Sequence, residues 1–296
     1  MQKKFSKINN QGFLIITLNQ QIKNILKSLE IYHPLQSGYR NFLFKIKREY
    51  YRRLFSKYKG KGLECNFCGH QYLKFVDDYP ETENQQALSI NNVVAGYGKN
   101  ILCPFCLSTA RERLIMATLK SKIEICNKNI LHLSPEKNIF NYLKKRSKLV
   151  TADLFPGYYK NIDKAIRKEN VTLLSFENDY FDLVIANHIL EHIPDDAAAM
   201  KEIFRVLKKG GVAILQVPYS ETITETLETP LIDHPKLQSA LYGQRDHVRI
   251  YQLNDFINRL MKTGFIVSCL KYEMLKPFYI YAIQTGEVFL EIKKPD

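Results

Sequence analysis

Four of the six cysteines stand as Cys65-Asn66-Phe67-Cys68 and Cys103-Pro104-Phe105-Cys106, two Cys-x-x-Cys knuckles separated by 34 residues. Each knuckle turns tightly enough to aim two thiolates at one ion, and the pair supplies the four sulfurs of a tetrahedral structural Zn2+ site. An iron site of rubredoxin type would use the same four ligands. Gly69 gives the first knuckle the permissive backbone such a turn wants. A closed four-sulfur site keeps no open coordination position, so its expected work is folding or docking, not catalysis. His70 is surplus to the ligand count, and Cys126 and Cys269 stand singly among apolar residues, as core side chains do. Two further clusters carry proton-transfer groups, His188-Ile189-Leu190-Glu191-His192 and Gln244-Arg245-Asp246-His247-Val248-Arg249. Imidazoles titrate near neutrality, which suits them to act as general bases or metal ligands.

Such residues need a frame to hold them. From Phe181 to Ser220 the chain reads as strand, short polar loop, helix, Gly210-Gly211 turn and strand, with apolar runs at Leu183–Ala186 and Val212–Val217 flanking an amphipathic helix. That is a βαβ unit of an α/β domain. Upstream, helices are expected over Arg111–Ile123 and Pro135–Lys144, and strands over Ile130–Leu133, Leu149–Ala152 and Val171–Leu174. Downstream, a helix is expected over Leu253–Thr263 and a strand over Phe265–Leu270, then a hairpin of Tyr279–Ile283 and Glu287–Ile292 around Thr285-Gly286. The connection from Tyr219 to Ile250 is long for a compact domain and is expected to form a lid over the site.

The 181–220 stretch closely resembles the fourth and fifth strands of class I S-adenosylmethionine (SAM) dependent methyltransferases of the type 11 kind, and Gln244–Tyr251 resembles the corresponding segment of those enzymes. The resemblance implies a Rossmann-like α/β fold over residues 109–296, with a mostly parallel sheet and an antiparallel C-terminal hairpin. A zinc-ribbon-like module over 63–108 and a basic helical extension over 1–62 precede it. It also implies SAM across the carboxyl ends of the strands, where strand order reverses. Asp153, closing Leu149-Val150-Thr151-Ala152-Asp153, takes the ribose position, where a carboxylate can accept both hydroxyl protons; the competing role is a helix N-cap. Asn170 stands where many members place an Asp against the adenine amino group, and Asn187 ends the fourth strand beside the cofactor. Phe176 and Phe181 could wall the adenine, with core packing as the ordinary alternative.

The first turn departs from the family's acid followed by Gly-x-Gly. It reads Leu131-His132-Leu133-Ser134-Pro135-Glu136, without glycine, and is similar to the His-x-x-Pro-Glu turn of a subset of zinc-ribbon-bearing methyltransferases. Ser134 suits a helix N-cap and Pro135 the first helical position, while His132 occupies the place of the usual acid and can meet the SAM amino group. His132, Ser134 and Glu136 therefore join Asp153, Asn170 and Asn187 as expected cofactor contacts. His188-x-x-Glu191-His192 matches the inverted zinc-peptidase signature, but it follows a buried strand directly instead of lying within a long helix. Some hydroxyl methyltransferases carry Glu-x-x-Glu-His here and bind a divalent cation, which raises such a site at His188, Glu191 and His192. The alternative leaves His188 lining the cofactor pocket, a candidate catalytic residue, and gives Glu191 and His192 local hydrogen bonds. His247 is the candidate substrate-facing base, against a reading in which Asp246, His247 and Arg249 brace the loop.

The expected activity is SAM-dependent methyl transfer to an oxygen of a small-molecule or glycan-type acceptor. An RNA methyltransferase using the zinc module and basic arm, and a non-catalytic binding protein of the same fold, are the alternatives. No Asp/Asn-Pro-Pro-Tyr/Phe follows the fourth strand, against methylation of exocyclic base amines, and no cysteine stands after the fourth or fifth strand for C5-pyrimidine chemistry. Charge is uneven: residues 1–62 carry 14 Lys and Arg against Glu30 and Glu49, a net +12 out of the chain's +13. Ile22, Ile25, Leu26 and Leu29 share one helical face and Leu43, Ile46 and Tyr50 another, among Lys45, Lys47, Arg48, Arg52 and Arg53. Such an arm suits an anionic membrane surface or RNA, or a helix pair docked on the main domain. The longest local apolar run, Phe13 to Leu18, is far short of a membrane span and lacks a secretory cleavage site, so a cytoplasmic, membrane-peripheral location is the expectation.

Overall fold

The computed structural model describes residues 32–296 other than 81, 230, 231 and 233. The expected helical face at Ile22, Ile25, Leu26 and Leu29 lies outside them. In chain order the described elements begin with α1 (Tyr32–Leu54), β1 (Lys59–Glu64), β2 (Gln71–Tyr72), β3 (Val76–Asp78), α2 (Thr82–Ile90) and β4 (Gly98–Leu102). Next come α3 (Ala110–Ser121), β5 (Asn129–Leu133), α4 (Lys137–Leu143), β6 (Lys148–Asp153), β7 (Arg167–Lys168), β8 (Phe181–Ile185), α5 (Asp196–Val206) and β9 (Leu207–Ile214). The chain continues with β10 (Tyr219–Ser220), β11 (Leu227–Glu228), α6 (Pro235–Tyr242), β12 (Arg249–Gln252), α7 (Leu253–Thr263), β13 (Ile266–Leu270) and β14 (Phe289–Lys293).

Seven strands form the main sheet in the order β13-β14-β9-β8-β5-β6-β7. Strands β5 to β9 run parallel, and β14 runs antiparallel to both β9 and β13. This is the expected mostly parallel, Rossmann-like sheet, with its order reversing between β5 and β8. Side-chain alternation assigns the two faces. Leu183 and Ile185 of β8 join Ile130 and Ile214 under α3 and α4, while Phe181 and Val184 join Leu131 and Leu133 under α5 and α7. Helix α3 is closed at its start by a capping box, with Thr109 Oγ1 accepting from Glu112 N and the Glu112 carboxylate accepting from Thr109 N.

Three expected elements come out differently. Val171–Leu174 is a turn, and the third strand is the short β7 upstream of it. Asn170 Oδ1 accepts from Thr172 N and Thr172 Oγ1, a local turn that competes with strand pairing. The Tyr279–Ile283 half of the C-terminal hairpin is instead the end of a 3-10 helical run, Tyr272–Tyr281, and β14 pairs with β13. The carbonyls of Tyr281 and Ala282 cannot serve a ladder because both accept from the Arg113 guanidinium. Gly210-Gly211 makes no helix-to-strand turn, because β9 begins at once after α5 and the glycines form a bulge within it. Gly210 has φ +69°, and a Cβ on Gly211 would come within 2.7 Å of the Lys208 carbonyl.

The cysteine segment folds as two antiparallel ladders, β1 with β2 and β3 with β4, and a knuckle follows β1 and β4. Phe55, Tyr72, Phe75, Val76, Ile101 and Ala282 pack around Cys65 and Cys103. Helix α1 docks on the second knuckle, with Arg52 Nε donating to the Phe105 carbonyl at 2.9 Å and its guanidinium 3.8 Å from the Phe105 ring. Its Phe42 and Leu54 stay exposed. No helix among the described residues is long and apolar enough to cross a membrane.

One buried side chain ties these parts together. Arg113, fully buried, donates to the carbonyls of Asn100, Ile101 and Ser108 in the cysteine segment and of Tyr281 and Ala282 near β14. Arg113→Met keeps the bulk but strands these carbonyls, so urea unfolding should show a loss of at least about 3 kcal/mol. A midpoint equal to that of the wild type would make the anchor dispensable.

Candidate functional site

The knuckles are built alike. Gly69 N donates to the Cys65 carbonyl at 2.8 Å and Leu107 N to the Cys103 carbonyl at 2.9 Å, and both residues are left-handed, at φ +71° and +61°. The second knuckle thus accepts in a leucine the backbone strain that glycine spares the first. Ser108 Oγ lies 3.2 Å from Cys65 Sγ and 3.3 Å from Cys106 Sγ. The four sulfurs all lie within 4.8 Å of one another, with Cys65 and Cys106 at 3.5 Å and Cys68 and Cys103 at 3.8 Å. Four ligands about 2.3 Å from a tetrahedral ion stand about 3.8 Å apart, so the cluster could hold a metal ion. His70 is not among these ligands; its ring stacks on Phe105 at 3.4 Å and its Nδ1 meets the Cys68 carbonyl.

At the carboxyl end of the sheet the chain gathers polar side chains. His132 takes the α4 side of β5, fully buried, and its Nε2 lies 2.6 Å from the Glu136 carboxylate; its Nδ1 has no partner. Burial would raise the Glu136 pKa, but the His132 contact and the nearby Arg111 charge hold it below the ordinary carboxylate value. Asn187 Nδ2 donates to Glu136 at 3.2 Å, linking the ends of β5 and β8. Ser134 does not cap α4: it stands at φ +44° and donates to Asp153 at 2.6 Å, and the N-cap falls to Glu136. Asp153 is no helix cap of the usual kind either. It accepts from Ser134 Oγ and Phe155 N through different oxygens, and each oxygen keeps acceptor capacity for a further hydroxyl. Asn170 follows β7, which pairs with the end of β6, and its side-chain oxygen accepts from Thr172 N and Oγ1.

The second cluster follows β8. His188, at φ +51°, places Nδ1 3.0 Å from Glu191, and burial with the Arg111 charge pushes the imidazole below its usual pKa. Glu191 is fully buried. His247 arrives from the long connection: Val248 N donates to the Glu191 carbonyl, and the His247 ring lies 4.7 Å from that of His192. Burial pushes His247 down to about 4, and its Nδ1 has no partner. Arg249 braces the loop through the carbonyls of Leu190, Ile193 and Pro194 and the Glu228 carboxylate. A cation site at His188, Glu191 and His192 is corrected in one member. The ligand atoms within 4.8 Å of one another belong to Glu191, His192 and His247, while His188 Nδ1 pairs with the Glu191 carboxylate.

The structure adds residues that spacing does not reveal. Phe155, 61% exposed, directly follows the Asp153 turn, whereas Phe176 and Phe181 form a buried edge-to-face pair in the core. Arg111, on α3, acts electrostatically on Glu136, His188 and Glu287. Glu287, just before β14, is buried with one carboxylate oxygen unpartnered; burial pushes its pKa up to about 7, against the lowering charges of Arg111 and Arg113.

The Glu287 shift has a pH signature. In the unfolded chain the group ionises near its ordinary value and in the folded chain near 7, so stability falls as pH rises through that window, by on the order of 3 kcal/mol. Glu287→Gln lacks this loss, so its melting temperature relative to the wild type should rise from pH 5 to pH 8. A constant difference across that range would contradict the burial of an acid here.

Residues 126–215 match the family described as a methyltransferase domain. Over 73 residues the chain is 34% identical to the "Probable S-adenosylmethionine-dependent methyltransferase" of Mycolicibacterium smegmatis, a stretch spanning 25% of this chain and 28% of that protein. Among solved structures, the S-adenosylmethionine dependent methyltransferase from Mesorhizobium loti is 14% identical with a TM-score of 0.45, covering 63% of this chain and 98% of that one. Phosphoethanolamine N-methyltransferase 2 of Haemonchus contortus is 15% identical with a TM-score of 0.43, covering 63% and 53%. The match to a methyltransferase domain covers β5 to β9, the five parallel strands of the seven-stranded sheet.

Proposed function

We propose that this protein is a SAM-dependent methyltransferase acting on an oxygen, hydroxyl or carboxyl, of a small-molecule or glycan-type acceptor. The observation that carries the cofactor part is the Asp153 carboxylate, held at the end of β6 by Ser134 and Phe155 N with acceptor capacity left for a ribose diol. Orphaned buried polar atoms on His132, His247 and Glu287 fit a polar ligand at the same end of the sheet. Bound SAM supplies a methyl group on a sulfonium. Transfer to the acceptor oxygen would be a direct displacement, for which alignment by the residues holding the cofactor would contribute heavily. His247, neutral around pH 7 and with a free ring nitrogen, can take the acceptor proton. Asp153, His132 and Glu136 hold the cofactor, and Asn187 orients Glu136.

Isothermal titration checks the cofactor half of this reading. The wild type should bind SAM and S-adenosylhomocysteine, and Asp153→Ala should weaken both by tenfold or more. A wild type that gives no heat at high micromolar ligand would end the enzyme reading and favour a binding protein that has lost the cofactor.

A metal-assisted variant is favoured by the convergence of Glu191, His192 and His247. There a divalent cation would acidify the acceptor hydroxyl, and His247 would act as a ligand instead of a base. In the cysteine cluster we assign a structural Zn2+ to Cys65, Cys68, Cys103 and Cys106, on their tetrahedral spacing. Metal measurements separate the two sites. Cys65→Ser should lose bound zinc by elemental analysis, and unchanged zinc would sink that assignment. In a paramagnetic-resonance titration, Glu191→Gln should no longer sequester Mn2+; identical traces from variant and wild type would leave His247 as the base.

A further inference from the structure

The first turn of the methyltransferase domain has no glycine, and Pro135 removes a backbone N–H, so main-chain donors cannot crowd a ligand there. Ser134 and Glu136 fill the turn with side chains, one bonded to Asp153 and the other to His132. A side chain from another element acts on this turn through its charge. Arg111 lies in the first turn of α3, half-buried, and its Nε has no hydrogen-bond partner. Its charge acts on Glu136, His188 and Glu287, yet among the described residues it forms an ion pair with none of them.

Its position is fixed from several sides. Asn138 Nδ2 donates to Glu112 at 3.0 Å, which lays the start of α3 against the start of α4. A Cβ on Gly96 would stand 3.9 Å from Arg111 Nη1, and the Gly96–Tyr97 segment is tied to Gln284 by hydrogen bonds in both directions. Arg113, two residues on, locks α3 to the second knuckle and to the segment before Glu287. A sheltered guanidinium with an unfilled donor presents a rigid fork suited to a carboxylate, and an anionic ligand would satisfy it. Glu136 and the unpartnered Glu287 oxygen, both acted on by the Arg111 charge, offer acceptors for an adjoining ammonium.

We propose that Arg111 binds the α-carboxylate at the amino-acid end of the cofactor, a side chain standing in for the missing glycine-turn amides, with Glu136 and Glu287 flanking the α-ammonium. The assignment rests on the SAM-dependent reading above. Because α3 is anchored through Arg113, the four-cysteine module positions this cofactor-binding side chain.

Isothermal titration with two ligands tests it. S-adenosylhomocysteine has the amino-acid end, and 5′-methylthioadenosine keeps the adenosine and thioether without it. Arg111→Gln should lose at least tenfold in affinity for S-adenosylhomocysteine while holding 5′-methylthioadenosine within about twofold of the wild type, and Arg111→Lys should recover part of the loss. Equal affinity of variant and wild type for S-adenosylhomocysteine overturns the proposal and turns Arg111 toward the acceptor. Equal loss of both ligands also overturns it, as a collapse of the pocket. A wild type that binds neither ligand refutes the SAM reading itself, an outcome distinct from either of these.

Discussion

A single buried cation holds this molecule in one piece. The Arg113 guanidinium is out of water, and its desolvation is offset only because five backbone carbonyls converge on it from two distant parts of the chain. Those carbonyls belong to the cysteine segment and to the run before β14, so the packing of one part on the other and the satisfaction of the charge are the same event. Phe75, whose ring lies 4.8 Å from the guanidinium, closes the apolar side. Everything placed at the carboxyl end of the sheet by α3 or by the residues before β14 inherits its position from that contact.

The polar site reflects a different constraint, that buried polar groups must find partners. Ser134 and Asp153, His132 and Glu136, and Asn187 and Glu136 satisfy one another across the ends of three strands. What they leave over is a set of buried donors and acceptors without partners, including His132 Nδ1, His247 Nδ1 and one Glu287 oxygen. A folded chain tolerates that many orphans in one region when a ligand completes them. Ser134 and His188, beside these groups, both stand in the left-handed region that non-glycine residues rarely adopt.

Much of this was legible in the residues. Apolar runs over Leu183–Ala186 and Val212–Val217 located the two central strands, and α7 spans the expected Leu253–Thr263. The knuckle spacing brought the four sulfurs together as expected, and the acid ending the second strand is Asp153. The failures share a cause. Asn170 bonds to Thr172 and turns a β-branched run away from pairing, and Arg113 takes the carbonyls that a Tyr279–Ile283 strand would have used. Period and propensity describe a segment alone, whereas these outcomes depend on partners, one local and one 168 residues away. Arg111 and Glu287 escaped notice for the same reason, since nothing in their own neighbourhoods of sequence marks them as neighbours.

Strand β14 is synthesised after every other strand of the main sheet, yet it lies inside the sheet, between β9 and β13. During translation β9 therefore exposes an unpaired edge until residues 289–293 leave the ribosome, and β13 has no partner in the sheet before then. An open apolar edge is a template for wrong pairing. The same late segment carries Glu287 and follows the carbonyls that receive Arg113. Closing the sheet and seating Glu287 and the carbonyls that receive Arg113 therefore depend on the same stretch of chain.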